Sequence, residues 1–403
     1  MKLTEELYIL YRRMKAAISW FIYFVCSICP IHNNKIVFSA FEGGGYGCNP
    51  KYIAEEIIRR MFESGKQYEL VWLVNDTAKQ FPAEIHPVKN TLLNRAYHLS
   101  TAKIWVDNAR KNYGTRKRSG QFYLQTWHGQ IGIKPVGRLR GKAFSKIAEI
   151  VTRYDAKLED VFLIGSEYAR DIFTRSFYGE FLLKIGSPRC DILLNGRDIQ
   201  YKKVRDMLNL PIDVKLVMYA PTFRGGNQQL VRTVDQEQLQ LDLIKLKYAL
   251  ERRFGGIWHI LLRLHPQLGL LNQTMRIDKE ASKYCIDISL KDDMYEYLAG
   301  IDAFISDYSS ASMDAALMRI PVFTYADDLQ DYSTSRGDLL CDIHDFPFPV
   351  SFDNATLTQI IRDFDEVKYL NKLEKFLKDE DVIEDGTASR KAVDVIEKKM
   401  IEG

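Results

Sequence analysis

Short apolar runs separated by amphipathic stretches recur along almost the whole chain, and this alternation restricts the fold more than any other feature. KIVFSAF (35–41), YELVWLV (68–74), AKIWVDNA (102–109), QFYLQTWH (121–128) and DVFLIGS (160–166) read as strands. PKYIAEEIIRRMFES (50–64), opened by Asn49 and Pro50, has the spacing of a helix between two of them. Strands that alternate with helices build mostly parallel sheets. The pattern restarts with KLVMYAPTF (215–223), WHILLRLHP (258–266), DAFISDYSS (302–310) and IPVFTYA (320–326). Between the two series lies IGSPRCDILLNGRD (185–198), a connector punctuated by Gly and Pro. At 403 residues the chain exceeds what one core organises, and its 46% hydrophobic content argues against disorder. The expectation is an α/β chain with an N-terminal segment (1–33) and two Rossmann-like domains, 34–200 and 201–403, facing a cleft.

The six cysteines are scattered, and Cys26 and Cys29 have no second ligand pair at zinc spacing, so neither a disulfide framework nor a metal site is expected. AAISWFIYFVCSICPI (16–31) follows Arg12, Arg13 and Lys15. It is shorter than the roughly 20 apolar residues a helix needs to span a bilayer. Its aromatics, Trp20, Phe21, Tyr23 and Phe24, favour a segment lying in the membrane interface; the alternative is a helix packed on the first domain. Between Arg110 and Lys146 stand ten Lys or Arg residues and no Asp or Glu, although the whole chain carries only +3. Such a local positive field suits an anionic partner or is a solvated face. Groove-reading and base-stacking motifs are not recognisable in it, so nucleic acid is not expected.

Ligands of open α/β sheets bind beyond the carboxyl ends of strands, which directs attention to the residues that follow each apolar run. Four such ends are polar: Trp127-His128-Gly129, Arg224, His265-Pro266 and Asp307-Tyr308-Ser309-Ser310. His128 is flanked by Gly129 and Gly132, which permit close approach of a ligand to the backbone. An imidazole, titrating near about 6.5, can take a proton from a hydroxyl at neutral pH, so His128 is the expected general base. His265 leaves its strand at Pro266 and either donates to a phosphate oxygen or is capped by a backbone carbonyl; Arg263 shares its face. Ser309 and Ser310 open a helix, either as an anion site or as plain N-caps. Asp314 in the first turn would suit the helix dipole yet repel a phosphate.

QTWHGQ, KPVG, GSEYARDIF, IGSPRCD, MYAPTFR, LLRLHP, ISDYSSASMDAAL and PVFTYADDLQDYSTSRGDLL, in that order over roughly residues 36–350, resemble the successive blocks of the CDP-glycerol glycerophosphotransferases of teichoic acid synthesis. The resemblance implies a GT-B-like fold and transfer of glycerol phosphate from CDP-glycerol to a polyprenyl-diphosphate-linked saccharide at the cytoplasmic face of the cell membrane, by a peripheral or monotopic enzyme. Its essential histidines correspond to His128 and His265, its paired hydroxyls to Ser309 and Ser310, and its Arg-Gly pair to Arg336 and Gly337. Trp127, Gly129, Arg224, Arg263 and Asp307 complete the expected substrate-binding set. No cofactor is expected beyond weak assistance by Mg2+. A CDP-ribitol enzyme would share these motifs, and a GT-B nucleotide-sugar glycosyltransferase would also place a histidine and an anion site at strand ends.

Overall fold

A computed structural model describes residues 2–222, 240–264 and 279–402. The chain divides into two units, one comprising 1–130, 136–191 and 383–403, the other 131–135 and 192–382.

In the first unit, β1 (His32–Ser39), β2 (Glu69–Val74), β3 (Ile85–Lys89), β4 (Ala102–Asp107), β5 (Phe122–Gln125), β6 (Val161–Ile164) and β7 (Leu182–Lys184) form one sheet. Their order is β3-β2-β1-β4-β5-β6-β7 and every pairing is parallel. Successive side chains alternate between two cores. Ile36, Phe38, Leu70 and Trp72 face α2 (Cys48–Ser64) and the C-terminal helix Ala388–Ile401, while Val37, Val71, Leu73 and Trp105 pack with Tyr23 of α1 (Lys2–Cys26) and Leu99 of α3 (Leu92–Thr101).

The C-terminal segment corrects the sequence reading, which placed everything beyond residue 200 in the second domain. Residues 383–403 return to the first unit. Asp191 accepts the N–H groups of Ala388 (3.0 Å) and Ser389 (2.7 Å), capping the last helix in place of a local residue. Ala392, Val393 and Ile396 then complete the core, and Arg60 of α2 pairs with Asp394 and Glu397 at 2.7 and 2.8 Å.

The second unit repeats the same winding with β8 (Lys215–Tyr219), β9 (Trp258–Leu262), β10 (Cys285–Asp287), β11 (Ala303–Ser306), β12 (Val322–Tyr325) and β13 (Val350–Ser351), ordered β10-β9-β8-β11-β12-β13 and again parallel. Strand order reverses between β1 and β4 in the first sheet and between β8 and β11 in the second, and such switch points are where doubly wound sheets hold ligands.

For α1 the two sequence alternatives describe two faces of one helix. Ala16, Ser19 and Tyr23 are buried on the first unit, whereas Leu7, Leu10, Tyr11, Met14, Ile18, Phe21 and Val25 stand exposed at three- and four-residue spacing. Among the described residues no helix is long and apolar enough to cross a membrane.

Candidate active site

The first switch point is built on a buried carboxylate. Asp107, the last residue of β4, accepts the N–H groups of Asn108 (2.8 Å) and Ala109 (3.1 Å) through Oδ1 and pairs with Lys111 Nζ through Oδ2 at 2.8 Å. Burial raises its carboxyl above the ordinary range, against the pull of Lys111. The resulting turn presents both oxygens of Asn108. Oδ1 accepts the N–H of Phe41 at 2.7 Å, and the backbone carbonyl lies 2.8 Å from His128 Nδ1.

That last contact decides the chemistry of His128. A carbonyl can only accept, so Nδ1 carries the proton and, in the neutral ring, the lone pair resides on Nε2. His128 is thus held in the tautomer a general base requires. Its ring meets Phe41 edge-on at 5.7 Å and lies 4.4 Å from the ring of Trp127. Trp127 itself packs on Phe177 at 4.6 Å, so its indole joins an aromatic cluster beside His128. Its φ is 51°, in the left-handed region that a bulky residue rarely enters, and Phe41, Glu42 and Cys48 share this property. Gly129 follows in the same loop.

The second switch point gathers Asp307, Ser309 and Ser310 after β11, with Gly132 against them. Asp307 is nearly buried, and its oxygens accept the N–H (2.9 and 3.0 Å) and hydroxyl (2.6 Å) of Thr222 and the N–H of Tyr308 (2.6 Å). The carboxylate thus ties the exit of β8 to the exit of β11. Ser309 Oγ accepts the N–H of Ala311 at 3.2 Å, as an N-cap would. A side chain at Gly132 would meet Ser310 N, Cα and Cβ at 3.1 Å, so glycine is what lets segment 131–135 lie on the start of the helix Ala311–Ala316. Asp314 is buried and accepts from the Tyr295 hydroxyl.

Arg263 is engaged with backbone. Its Nη1 donates to the carbonyls of Ile288 (2.7 Å), Ser289 (3.2 Å) and Lys291 (2.5 Å), and Ser289 Oγ accepts from Leu264 N at 2.9 Å. Arg263 therefore fixes the loop after β10 to the exit of β9. Gly337, with φ of 99°, ends the helix Leu329–Arg336 and donates to Ser333. Arg224 and His265 lie outside the described residues, as does the side chain of Arg336.

Much of the basic run has partners within the first unit. Lys111 is paired with Asp107, Lys117 with Asp160, Arg110 with Thr152, Arg116 with Ser27, and Arg118 with the carbonyls of Cys29 and Ser100. Lys134, Arg138, Lys142 and Lys146 are exposed. Among the described residues no group of three or more His, Cys, Asp or Glu could hold a metal ion. Sequence reasoning missed Asp107, Asn108, Asn49 and Gln125. The rule that singled out polar strand ends applies equally to the Asp-Asn that closes AKIWVDNA and would have found the first two.

Known proteins resemble this chain in sequence and fold. Residues 21–398 match the family described as CDP-Glycerol:Poly(glycerophosphate) glycerophosphotransferase. The teichoic acid poly(glycerol phosphate) polymerase of Staphylococcus epidermidis is 30% identical over 91% of this chain and 51% of its own length. The teichoic acid poly(ribitol-phosphate) polymerase of Bacillus spizizenii is 26% identical over 96% of this chain and 60% of its own length. The chain thus spans between half and two thirds of these curated relatives. A solved structure of the wall teichoic acid polymerase TagF superposes with a TM-score of 0.79 at 26% identity, covering 100% of this chain and 99% of that one, and the same polymerase has been solved after soaking with CDPG. The two doubly wound sheets are accordingly those of a GT-B-like fold, and the chain belongs to the CDP-glycerol:poly(glycerophosphate) glycerophosphotransferase family.

Proposed function

We propose that the chain transfers glycerol phosphate from CDP-glycerol to a hydroxyl of a polyprenyl-diphosphate-linked saccharide, releasing CMP, in the synthesis of teichoic acid or a related surface polymer. The observation that carries this reading is His128, in a chain of this family, with Nδ1 donating to Asn108 and its lone pair on Nε2. Nε2 takes the proton of the acceptor hydroxyl as the oxygen attacks the β-phosphorus that bears glycerol. The P–O bond to CMP breaks, and its electron pair leaves with CMP. The first unit handles the acceptor and the second the CDP moiety, with His265, Ser309, Ser310 and Arg336 stabilising phosphate charge. Trp127, Gly129, Arg224 and Gly337 line the substrates. Asp307 and Arg263 act behind them, holding the loops.

The exposed apolar stripe of α1, flanked by Arg12, Arg13 and Lys15, fits a helix lying in the interface of an anionic bilayer, which is where a prenyl-linked acceptor resides. A ribitol donor is the second reading, favoured by the similarity to a poly(ribitol-phosphate) polymerase.

The test is CMP release from CDP-glycerol and from CDP-ribitol with a synthetic prenyl-diphosphate disaccharide, with and without EDTA, for wild type and His128→Ala. Acceptor-dependent CMP from CDP-glycerol, at most weakly diminished by EDTA and reduced roughly 100- to 10,000-fold in the variant, is expected. CMP from the ribitol donor alone transfers the assignment to ribitol, and abolition by EDTA replaces the metal-independent mechanism. No CMP from either donor overturns the reaction.

A further inference from the structure

The hydrogen bonds around Trp127 set apart an asparagine whose place in the sequence suggests only a helix start. Asn49 is fully buried. Its Nδ2 donates to the carbonyls of Thr126 (3.1 Å) and Trp127 (2.8 Å), and its Oδ1 accepts the N–H of Arg189 (3.0 Å). Two acceptors and one donor leave the amide a single orientation. At the second residue of α2 an asparagine ordinarily competes for the N–H groups of its own helix. Here it reaches across to the exit of β5, and the preceding Cys48 carries a φ of 58°.

What Asn49 grips is a strained residue. A non-glycine side chain in the left-handed region costs about 1–3 kcal/mol and persists only where its surroundings over-determine it. Two side-chain amides do so at Trp127. Gln125 Oε1 accepts its N–H at 2.9 Å, and Asn49 holds its carbonyl. Gln125 is in turn fixed by donating to Ala109 O (3.1 Å) and Tyr123 Oη (2.7 Å). The peptide pinned in this way is the one from which His128 departs.

We propose that Asn49 is a positioning residue for His128: by holding the Trp127 carbonyl it fixes the backbone that carries the imidazole, while Asn108 fixes the ring's rotation through Nδ1. The assignment rests on the reading of His128 as the general base. Without Asn49 the Trp127 peptide can relax out of its strained conformation, and Nε2 moves with it. A displacement of about 1 Å at a catalytic group costs on the order of 100-fold in rate.

The experiment is a double-mutant cycle on the full chain, read as CMP release from the donor it turns over. Asn49→Ala is expected to lower kcat roughly 10- to 100-fold with KM for the donor changed less than about twofold, and to lower the residual rate of His128→Ala by less than about twofold. A folded Asn49→Ala with wild-type kcat overturns the proposal, as does an undiminished extra loss in the His128→Ala background, which a merely structural residue would give. Should Asn49→Ala fail to fold, Asn49→Ser keeps one donor; an intermediate kcat supports the proposal and a wild-type kcat overturns it. Wild-type kcat in His128→Ala defeats the base reading itself, a result distinct from failure at Asn49 alone.

Discussion

Side chains at the two switch points divide into those that meet solvent and those that hold them. His128, at the exit of β5, is exposed, while Asp107, Asn49 and Gln125 behind it are buried and hydrogen-bonded to backbone groups, Asp107 also to Lys111 Nζ and Gln125 also to Tyr123 Oη. Asp307 and Arg263, expected from the sequence to bind substrate, each hold neighbouring backbone, a role the sequence does not disclose because a one-dimensional reading gives the position of a polar group and not the number of donors and acceptors around it. His128 was legible since it follows an apolar run and precedes glycine; Asn49 was not, since its partners lie 77, 78 and 140 residues away. Behind the same site sits a titrating pair. Burial pushes the Asp155 carboxyl of α4 (Lys146–Ala156) up to about 7, although it accepts the Lys111 N–H at 2.9 Å, and burial together with Asp155 raises neighbouring Glu159. A carboxyl raised from an unfolded value near 3.9 binds more protons folded than unfolded between the two. Its stabilising contribution is therefore complete below about pH 4, declines as pH rises and is gone above about pH 7. Asp155→Asn stays neutral and still accepts from Lys111. Urea midpoints at pH 5 and pH 8 should show a smaller fall for this variant than for wild type; equal falls would mean that burial does not hold Asp155 protonated.

At the scale of elements, the sequence disclosed the interiors of both sheets and missed their borders. Each of the nine apolar runs became a strand, β1, β2, β4, β5 and β6 in one sheet and β8, β9, β11 and β12 in the other. The four strands that escaped notice, β3, β7, β10 and β13, are the four edges. Edge strands are paired on one side only and need no continuous apolar run, so IHPVK, LLK, CID and VS carry little strand signal. The docking of α1 was hidden for a similar reason, since it depends on one backbone approach. Gly114 has φ of 92°, and a Cβ there would lie 2.3 Å from Ala16 O and 2.8 Å from Ala16 Cα. Neither atom can move without shifting the helix. Gly114→Ala should therefore loosen α1 from the first unit and cost about 1–3 kcal/mol, by analogy with overpacking. Limited proteolysis within 2–26 and thermal melting would register the change; an unchanged digestion pattern and midpoint would show that the helix is held by Tyr23 and its neighbours alone.

For the whole molecule the question is how the chain, which among its described residues has no helix long and apolar enough to span a membrane, would reach the lipid-linked acceptor proposed above, and α1 supplies the proposed route. One face is anchored by Ala16, Ser19 and Tyr23, while Phe21, Ile18 and Met14 are each about 60% exposed on the other. Trp20 and Phe24 stack at 5.7 Å, and Arg116 lies 5.6 Å from both ring centroids, which brings positive charge from the loop before β5 to the apolar surface. Two forces then act together. Burial of the stripe in the acyl boundary is non-directional and insensitive to salt, whereas Arg12, Arg13 and Lys15 near an anionic surface contribute about 1 kcal/mol each and are screened within a Debye length of about 10 Å at 0.1 M salt. Co-sedimentation with vesicles containing anionic lipid separates them. Ile18→Asp with Phe21→Asp should abolish binding at every salt concentration, and replacing the three basic residues with glutamine should weaken binding by about two powers of ten at low salt, roughly 1 kcal/mol being a factor of about 5 for each charge. In both variants CMP release with a water-soluble acceptor should stay at the wild-type level, because neither set of residues belongs to the switch points. Wild-type sedimentation of the double aspartate variant would mean that another surface of the chain carries the membrane contact.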